Sequence, residues 1–181
     1  MPTTLRKSVA LRFLCSFALV ASFSSAHAAQ QGFDFVSSPG EVYRVVDADT
    51  FVVNLDDANA YRQLVQLADG DEDRLRYLND RYQSIRVRLS HVDTPESVHS
   101  DERRNTPEGE RLSEQVKVML EGKRTDVTCF DWGDHGRAIC SMSMPNGGDL
   151  GLWLVENGHS EYITRWGRHP FMDAEYRSAG Q

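Results

Sequence analysis

The stretch SIRVRLSHVDTPE, residues 84–96, joins a strand pattern to an acidic turn. Every second residue from 85 to 89 is apolar, which is the period of a strand with one face in a core. Arg86 and Arg88 lie on the other face of this strand. Two arginines on one face indicate either a solvated surface or the lining of a site.

Carboxylates follow this strand at a turn that Pro95 restrains. Asp93 could share a cation with an acid from elsewhere in the chain, while Arg88 holds an anion beside it and Glu96 acts on a nearby water molecule. Each residue also has an ordinary structural interpretation. Arg88 would then be a solvated strand residue, Asp93 a turn former and Glu96 the acid at a helix start.

Two further strands are predicted upstream, at residues 42–46 and 51–55, because both segments are rich in valine. Their connection contains Asp47 and Asp49, which either bind a hard cation or make the local hydrogen bonds of a turn. Residues 56–83 place apolar side chains at helical spacing on both sides of a break. This spacing predicts two short helices inserted into a β-hairpin.

Helix signals follow the central stretch at three places. Thr106 precedes a proline and a glutamate, which is a typical helix start. Asp149 caps a second helix that ends at Gly158, and the tail from Pro170 holds a last one. Strands come first and helices late, without regular βαβ alternation. The order of elements therefore predicts an antiparallel α+β domain or a small barrel with packed helices.

The chain has 181 residues, 27 of them acidic and 20 basic, with a net charge of −7 and a mean hydropathy of −0.50. This composition is typical of a soluble domain and disfavours purely electrostatic adhesion to nucleic acid. Residues 1–28 combine a basic start, a short apolar run and an Ala-His-Ala cleavage pattern. We expect a signal peptide there, export to the periplasm or medium, and no membrane anchor after cleavage. Residues 29–40 are a polar lead-in and residues 41–181 the domain.

A second hairpin is predicted around Cys129 and Cys140. In the register that pairs the two cysteines, neighbouring apolar residues also face each other: Val127 with Met142, and Phe130 with Ile139. This agreement, in an exported chain, favours a disulfide over two buried thiols.

Three motifs, taken in order along the chain, resemble those of the staphylococcal nuclease (thermonuclease) family. They are Val46-Asp47-Ala48-Asp49-Thr50, then Val87-Arg88-Leu89 with Val92-Asp93-Thr94-Pro95-Glu96, and finally His135-Gly136-Arg137. The second motif is the specific one, and the resemblance covers roughly residues 42–166. It implies an α+β fold: a five-stranded OB-type β-barrel with three packed helices, to which residues 56–83 add a short helical insert in the first hairpin.

The resemblance also implies a calcium-dependent nuclease that hydrolyses phosphodiester bonds of DNA and RNA with little sequence specificity. The products would carry 3′-phosphate and 5′-hydroxyl ends. By position, Asp49 and Asp93 would be the Ca²⁺ carboxylates, and Thr94 would add its backbone carbonyl. Ala48 stands where the family usually has glycine, so this turn must avoid a positive φ or accept strain.

The remaining site residues are carried over in the same way. Arg88 and Arg137 would hold the phosphate, and Glu96 would be the general base or the residue that orients the attacking water. His135 replaces a tyrosine of a pair that contacts a flanking phosphate. Trp166 falls near the nucleotide pocket, where it would stack on a base or belong to the core.

Two alternatives accompany the nuclease hypothesis. The first is a noncatalytic OB-fold module that binds nucleic acid or peptide, although all five side chains of the metal and phosphate set are present. The second is a structural or partner-binding role centred on the insert at residues 56–83.

Three histidines, His91, His99 and His135, also suggest a transition-metal site. His91 would then be a metal ligand, and otherwise a half-buried histidine. The half-buried position is the one we expect, because His91 shares a strand face with Val87 and Leu89.

Overall fold

The computed structural model describes residues 35–99 and 101–181. The predicted signal peptide and the first residues of the predicted lead-in lie outside this part of the chain. Within it, no helix is long and apolar enough to cross a membrane.

The described residues contain six strands, five of which close into a barrel. The strands are β1 (Val36–Asp47), β2 (Thr50–Leu55), β3 (Leu78–Asn79), β4 (Ser84–Leu89), β5 (Arg124–Trp132) and β6 (Ala138–Met142). The ring runs β1–β2–β4–β6–β5 and returns to β1, with β4–β6 as its parallel pair and β3 paired with the first residues of β4. The predicted five-stranded OB-type barrel is confirmed.

The first strand is longer than the sequence pattern predicts. β1 begins at Val36, so the end of the predicted polar lead-in is strand rather than irregular chain. Its side chains alternate between buried and exposed, but Ser38 and Gly40 occupy inward positions. A Cβ at Gly40 would lie 2.6 Å from the carbonyl oxygen of Asn54. Because small and polar residues fill the buried face here, hydrophobicity alone does not reveal the strand.

In the described part of the chain, five α-helices surround or extend the barrel: α1 (Ala58–Leu67), α2 (Glu72–Leu75), α3 (Pro107–Leu120), α4 (Leu150–Glu156) and α5 (Asp173–Ala179). The first two lie between β2 and β4, which confirms the helical insert. Helices α1, α3, α4 and α5 all supply buried side chains to the core. The predicted caps are present. Thr106 Oγ1 accepts from the backbone of Gly109 at 3.0 Å, and Asp149 Oδ1 accepts from that of Leu152 at 2.8 Å.

Cys129 and Cys140 face each other on β5 and β6 and form a disulfide, as predicted. Both are fully buried in the core, and Val127 faces Met142 in the expected register. The bond therefore links β5 to β6 inside the core of the barrel.

The expected pairing of Phe130 with Ile139 is wrong. A bulge after Cys129 places Asp131 opposite Ile139 instead. The extra residue, Phe130, packs with its ring centroid 6.2 Å from that of His91. His91 itself is half-buried, as expected, although it lies in the turn after β4 and not on the strand.

Reduction of the Cys129–Cys140 disulfide is expected to lower the free energy of unfolding by about 3 kcal/mol, because the bond joins residues 11 apart and restricts the unfolded chain. Urea unfolding of the oxidised and the fully reduced protein measures this difference. Equal midpoints in the two forms would contradict the expectation.

His169 is buried in a site that requires a neutral ring. Its Nδ1 accepts the backbone N–H of Met172 at 3.2 Å, so its Nε2–H is the atom that donates to Ser141 Oγ at 2.9 Å. Only 2% of the residue is exposed, and its ring stacks on Tyr176 at 4.9 Å. Burial, with a smaller contribution from His91, lowers the pKa of His169 from 6.5 to about 4.

Stability is therefore expected to fall as the pH drops from 6.5 towards 4. In this window the unfolded chain binds a proton at His169 and the folded chain does not, so the free energy of unfolding rises with pH. The contribution of His169 to that free energy is fully present above pH 6.5. Urea unfolding across this range should show a smaller slope for His169→Gln, whose amide offers a donor and an acceptor at every pH. The same slope in both proteins would refute the assignment.

Candidate active site

Arg88 stands at the centre of a carboxylate cluster where the β1–β2 turn meets the end of β4. It forms an ion pair with Asp49, and its Nη2 donates to Asp93 Oδ1 at 2.7 Å and to the Val92 carbonyl at 3.2 Å. The Arg88 side chain is 15% exposed and that of Asp49 only 8%, whereas Asp93 is 52% exposed. Burial lowers the pKa of Arg88, and the Asp93 carboxylate opposes that shift. The guanidinium stays charged, because arginine titrates far above neutral pH.

Asp49 is fixed by hydrogen bonds from the segment that follows β4. Its Oδ2 accepts from the backbone N–H of Thr94 at 3.0 Å and from the Thr94 hydroxyl at 2.8 Å, and its Oδ1 accepts from Thr50 at 3.2 Å. Ala48 in the same turn is not among the described residues with positive φ. The turn thus forms without the glycine that the family usually has.

The two carboxylates have the chemistry of a hard-cation site. Asp49 and Asp93 both contact the Arg88 guanidinium, so a positive charge already lies between them. Carboxylate oxygens are the ligands that calcium and magnesium prefer. No group of three or more His, Cys, Asp or Glu placed to hold a metal ion occurs within the described ranges. A cation here would therefore rely on two carboxylates, completed by carbonyl and water oxygens.

Glu96 is positioned through its backbone by the start of α3. Its carbonyl accepts from the backbone N–H of Thr106 at 2.9 Å. A Cβ at Gly109 would lie 2.3 Å from the same carbonyl oxygen, so only glycine permits this approach. The Glu96 carboxylate is 36% exposed and lies 3.6 Å from Arg104. Its backbone is held closely while its side chain remains accessible.

Arg137 is delivered by the β5–β6 turn, which rests on the helical insert. Its Nη1 donates to Thr50 Oγ1 at 3.3 Å. In the turn, Gly136 has φ +76° and lies so close to α2 that a Cβ would be 2.1 Å from the carbonyl oxygen of Asp73. The guanidinium of Arg76 also donates to the His135 carbonyl, at 3.4 Å. The insert therefore supports the turn that carries the second predicted phosphate ligand.

A cavity of about 670 Å³ brings the predicted residues together. Seven of the predicted site residues line this cavity: Asp49, Arg88, Asp93, Glu96, His135, Arg137 and Trp166. Thr94 lines a neighbouring groove of about 960 Å³ that meets the cavity at Asp93. Trp166 is 64% exposed, with the Arg165 guanidinium 3.8 Å from its ring centroid, so it is a surface residue at the cavity rim and not a core residue.

Comparison with known proteins places the second half of the chain in a known family. A family model described as staphylococcal nuclease homologue matches residues 86–181. The chain belongs to the staphylococcal nuclease homologue family. A protein of Escherichia coli O157:H7 described as an uncharacterized endonuclease is 23% identical over 124 residues, which is 68% of this chain and 74% of that protein. An Escherichia coli protein with the same description matches to the same extent.

The family match begins at Arg86, after the insert, so it contains Arg88, Asp93, Glu96 and Arg137 but not Asp49. The fold brings Asp49 to this group of residues. Strand β2 pairs with β4 and places Thr50 opposite Arg88, so the preceding residue, Asp49, reaches the Arg88 guanidinium. In this way the staphylococcal nuclease domain completes its carboxylate pair with a residue far upstream in the chain.

Two residues at the site have roles that the sequence leaves open: Asp47, a cation ligand or a turn former, and Arg86, a solvated or a site-lining residue. Asp47 is buried, and its Oδ1 accepts from Ser97 Oγ at 2.8 Å and Ser113 Oγ at 2.7 Å, so it ties the end of β1 to α3. Arg86 lines the cavity beside Arg88. The signal for Arg86 was present in the sequence, since both arginines lie on the same face of β4.

Gly109→Ala is expected to reduce both stability and turnover. Alanine usually favours a helix over glycine by about 1 kcal/mol. Here its Cβ would displace the Glu96 carbonyl, and a shift of the Glu96 carboxylate, the predicted general base, is expected to cost about tenfold or more in kcat. Thermal melting and cleavage rates would be compared with those of Glu110→Ala, an exposed site on the same helix. A raised melting temperature with unchanged kcat would show that the contact is unimportant.

Proposed function

We propose that this protein is an exported, calcium-dependent nuclease that hydrolyses phosphodiester bonds of DNA and RNA and leaves 3′-phosphate and 5′-hydroxyl ends. The observation that carries the proposal is the convergence of two arginines, two aspartates and one accessible glutamate in one cavity. Membership of the staphylococcal nuclease homologue family supports a hydrolytic nuclease. The relatives described as endonucleases support the same reaction class.

The two arginines would bind and stabilise the reacting phosphate. Arg88 lies on β4 and Arg137 directly precedes β6, the strand paired with β4, and both residues line the same cavity. A planar guanidinium donates two parallel hydrogen bonds to phosphate oxygens and remains in place as negative charge increases in the pentacovalent transition state. Arg88 contacts both carboxylates in the free protein, so it would exchange one of them for a phosphate oxygen. Lysine lacks this fork and would be a poor substitute.

Glu96 would act on the water that attacks phosphorus. Its side chain reaches the cavity and is ion-paired only at 3.6 Å, with a solvent-accessible arginine. As general base it would take a proton from the water, or it would orient the water through a hydrogen bond. In-line attack then breaks the bond from phosphorus to the 5′ oxygen, which takes a proton from solvent and leaves as the hydroxyl. The phosphate remains on the 3′ oxygen of the other product.

A calcium ion would be held by Asp49, Asp93 and the Thr94 carbonyl. When bound it supplies a Lewis acid for a non-bridging phosphate oxygen. The protein's own contribution is to keep two carboxylates close together in a cavity that six arginines also line.

Two observations support export. Residues 1–28 carry the pattern of a signal peptide. Independently, Cys129 and Cys140 form a disulfide, a bond that persists in oxidising compartments such as the periplasm.

Glu96→Gln is expected to lower the cleavage rate by about 10²–10⁴-fold, because the amide neither accepts the proton nor carries the charge. Purified protein from Ala29 onward would be incubated with single-stranded DNA in calcium, in magnesium and in chelator, and the fragment ends identified. Calcium-dependent cleavage leaving 3′-phosphate ends is the expected result for the wild type.

The matched control is Glu110→Gln, which removes the same charge from the exposed surface of α3. This control should cleave like the wild type. Full activity in Glu96→Gln would remove Glu96 from the mechanism. Binding of the oligonucleotide by the wild type without cleavage would favour the noncatalytic OB-fold module.

A further inference from the structure

Arg86 lines the same cavity as Arg88, yet the proposed reaction makes no use of it. The two residues lie two positions apart on the same face of β4, and Arg86 is paired across the sheet with Val52 of β2. Its side-chain Nε is buried and makes no hydrogen bond. Its guanidinium lies over the ring of Tyr77, 5.4 Å from the centroid. The Arg86 side chain is therefore held by packing against Tyr77, but its Nε–H donor has no hydrogen-bond acceptor in the part of the chain that the structure describes.

The charges around the cavity distinguish Arg86 from most other arginines there. Six arginines line the cavity, and four of them are ion-paired: Arg88 with Asp49 and Asp93, Arg104 with Glu96, Arg165 with Asp93, and Arg168 with Asp173. Within residues 35–99 and 101–181, neither Arg86 nor Arg137 has a carboxylate at ion-pair distance. Burial and the nearby charges of Arg137 and Arg44 lower the pKa of Arg86. An anion at this point would relieve that repulsion.

We propose that Arg86 binds the phosphate adjacent to the scissile one, so that the preferred substrate is a polynucleotide strand with at least two consecutive phosphates. This inference rests on the proposed nuclease function. Side chains two residues apart on a strand are separated by about 6.7 Å. That spacing is comparable with the distance between successive phosphates of an extended single strand. Arg86 and Arg88 are thus placed to contact neighbouring phosphates of one chain.

The helical insert shapes this second phosphate site. The backbone N–H of Arg86 donates to the carbonyl of Tyr77, at 2.9 Å, and the Tyr77 ring covers one side of the guanidinium. Tyr77 follows α2 directly, and α2 also supports the turn that carries Arg137. One small insert therefore positions both cavity arginines that have no carboxylate partner.

The kinetic test compares two substrates that differ in the number of phosphates. One is a dinucleoside monophosphate, which offers only the scissile phosphodiester, and the other is a single-stranded decanucleotide. Arg86→Ala is expected to lose about tenfold more kcat/KM on the decanucleotide than on the dinucleoside, mainly through KM, because one charge-assisted contact is removed. Arg86→Lys should recover part of that loss. Arg111→Ala, at an exposed arginine of α3, is the charge-matched control and should change neither substrate.

A binding measurement provides a readout independent of turnover. In the Glu96→Gln protein at constant calcium, the slope of log Kd against log salt for the decanucleotide should decrease by about 0.7 when Arg86 is replaced by alanine, because one fewer counterion is released. Equal losses on both substrates, or an unchanged slope, would overturn the second phosphate site and leave the nuclease function intact. Failure of the wild type to cleave either substrate would overturn the nuclease function itself, and this site with it.

Discussion

The site depends on one buried positive charge, the guanidinium of Arg88. A buried cation is stable only when opposite charges and hydrogen-bond acceptors surround it, and removing one partner of such a group typically costs about 3–5 kcal/mol. Here the partners are Asp49 and Asp93, which come from different segments of the chain. The same interaction therefore closes the β1–β2 turn onto the segment after β4 and holds two carboxylates close together. The two carboxylates that stabilise the buried guanidinium are also the groups that a cation site needs, and the guanidinium is the group that a phosphate site needs.

Around this centre, the other proposed catalytic groups are fixed by close backbone approaches. Gly109 lets the start of α3 approach the Glu96 carbonyl, and Gly136 lets the β5–β6 turn approach α2. In both cases the backbone is held by a close contact, while the side chain proposed to take part in the reaction, Glu96 or Arg137, extends into the cavity. Sites built in this way keep their geometry because neighbouring elements, and not the ligand alone, restrain them. The acidic net charge of the chain is compatible with phosphate binding, because the arginines are gathered in one cavity.

Much of this arrangement follows from local sequence. Three features can be predicted because each depends on residues close together in the sequence. They are the strand at residues 84–89, the helix cap at Thr106 and the Cys129–Cys140 disulfide, and the structure contains all three. The start of β1 cannot be predicted in this way, because Ser38 and Gly40 occupy buried positions that a hydrophobic pattern does not reveal. The partner of Phe130 cannot be predicted either, because a bulge shifts the strand pairing by one residue and no propensity signals that shift.

The roles of the insert and of Arg86 could not be predicted for a different reason. Both depend on contacts between distant segments: α2 against the turn at Gly136, and Tyr77 over the Arg86 guanidinium. The sequence identified two arginines on one strand face but left open whether they were solvated or lined a site. Only closure of the barrel shows that they share a cavity with Arg137.

We propose that Asp49, Asp93 and Arg88 form one linked site for a cation and a phosphate. Calorimetric titration of calcium, with and without a saturating nucleoside monophosphate, tests this linkage most directly. Because the nucleotide would draw Arg88 away from the carboxylates, we predict tighter calcium binding in its presence, and loss of that coupling in Asp49→Asn. A calcium affinity that is independent of the nucleotide, or identical in wild type and Asp49→Asn, would contradict the account.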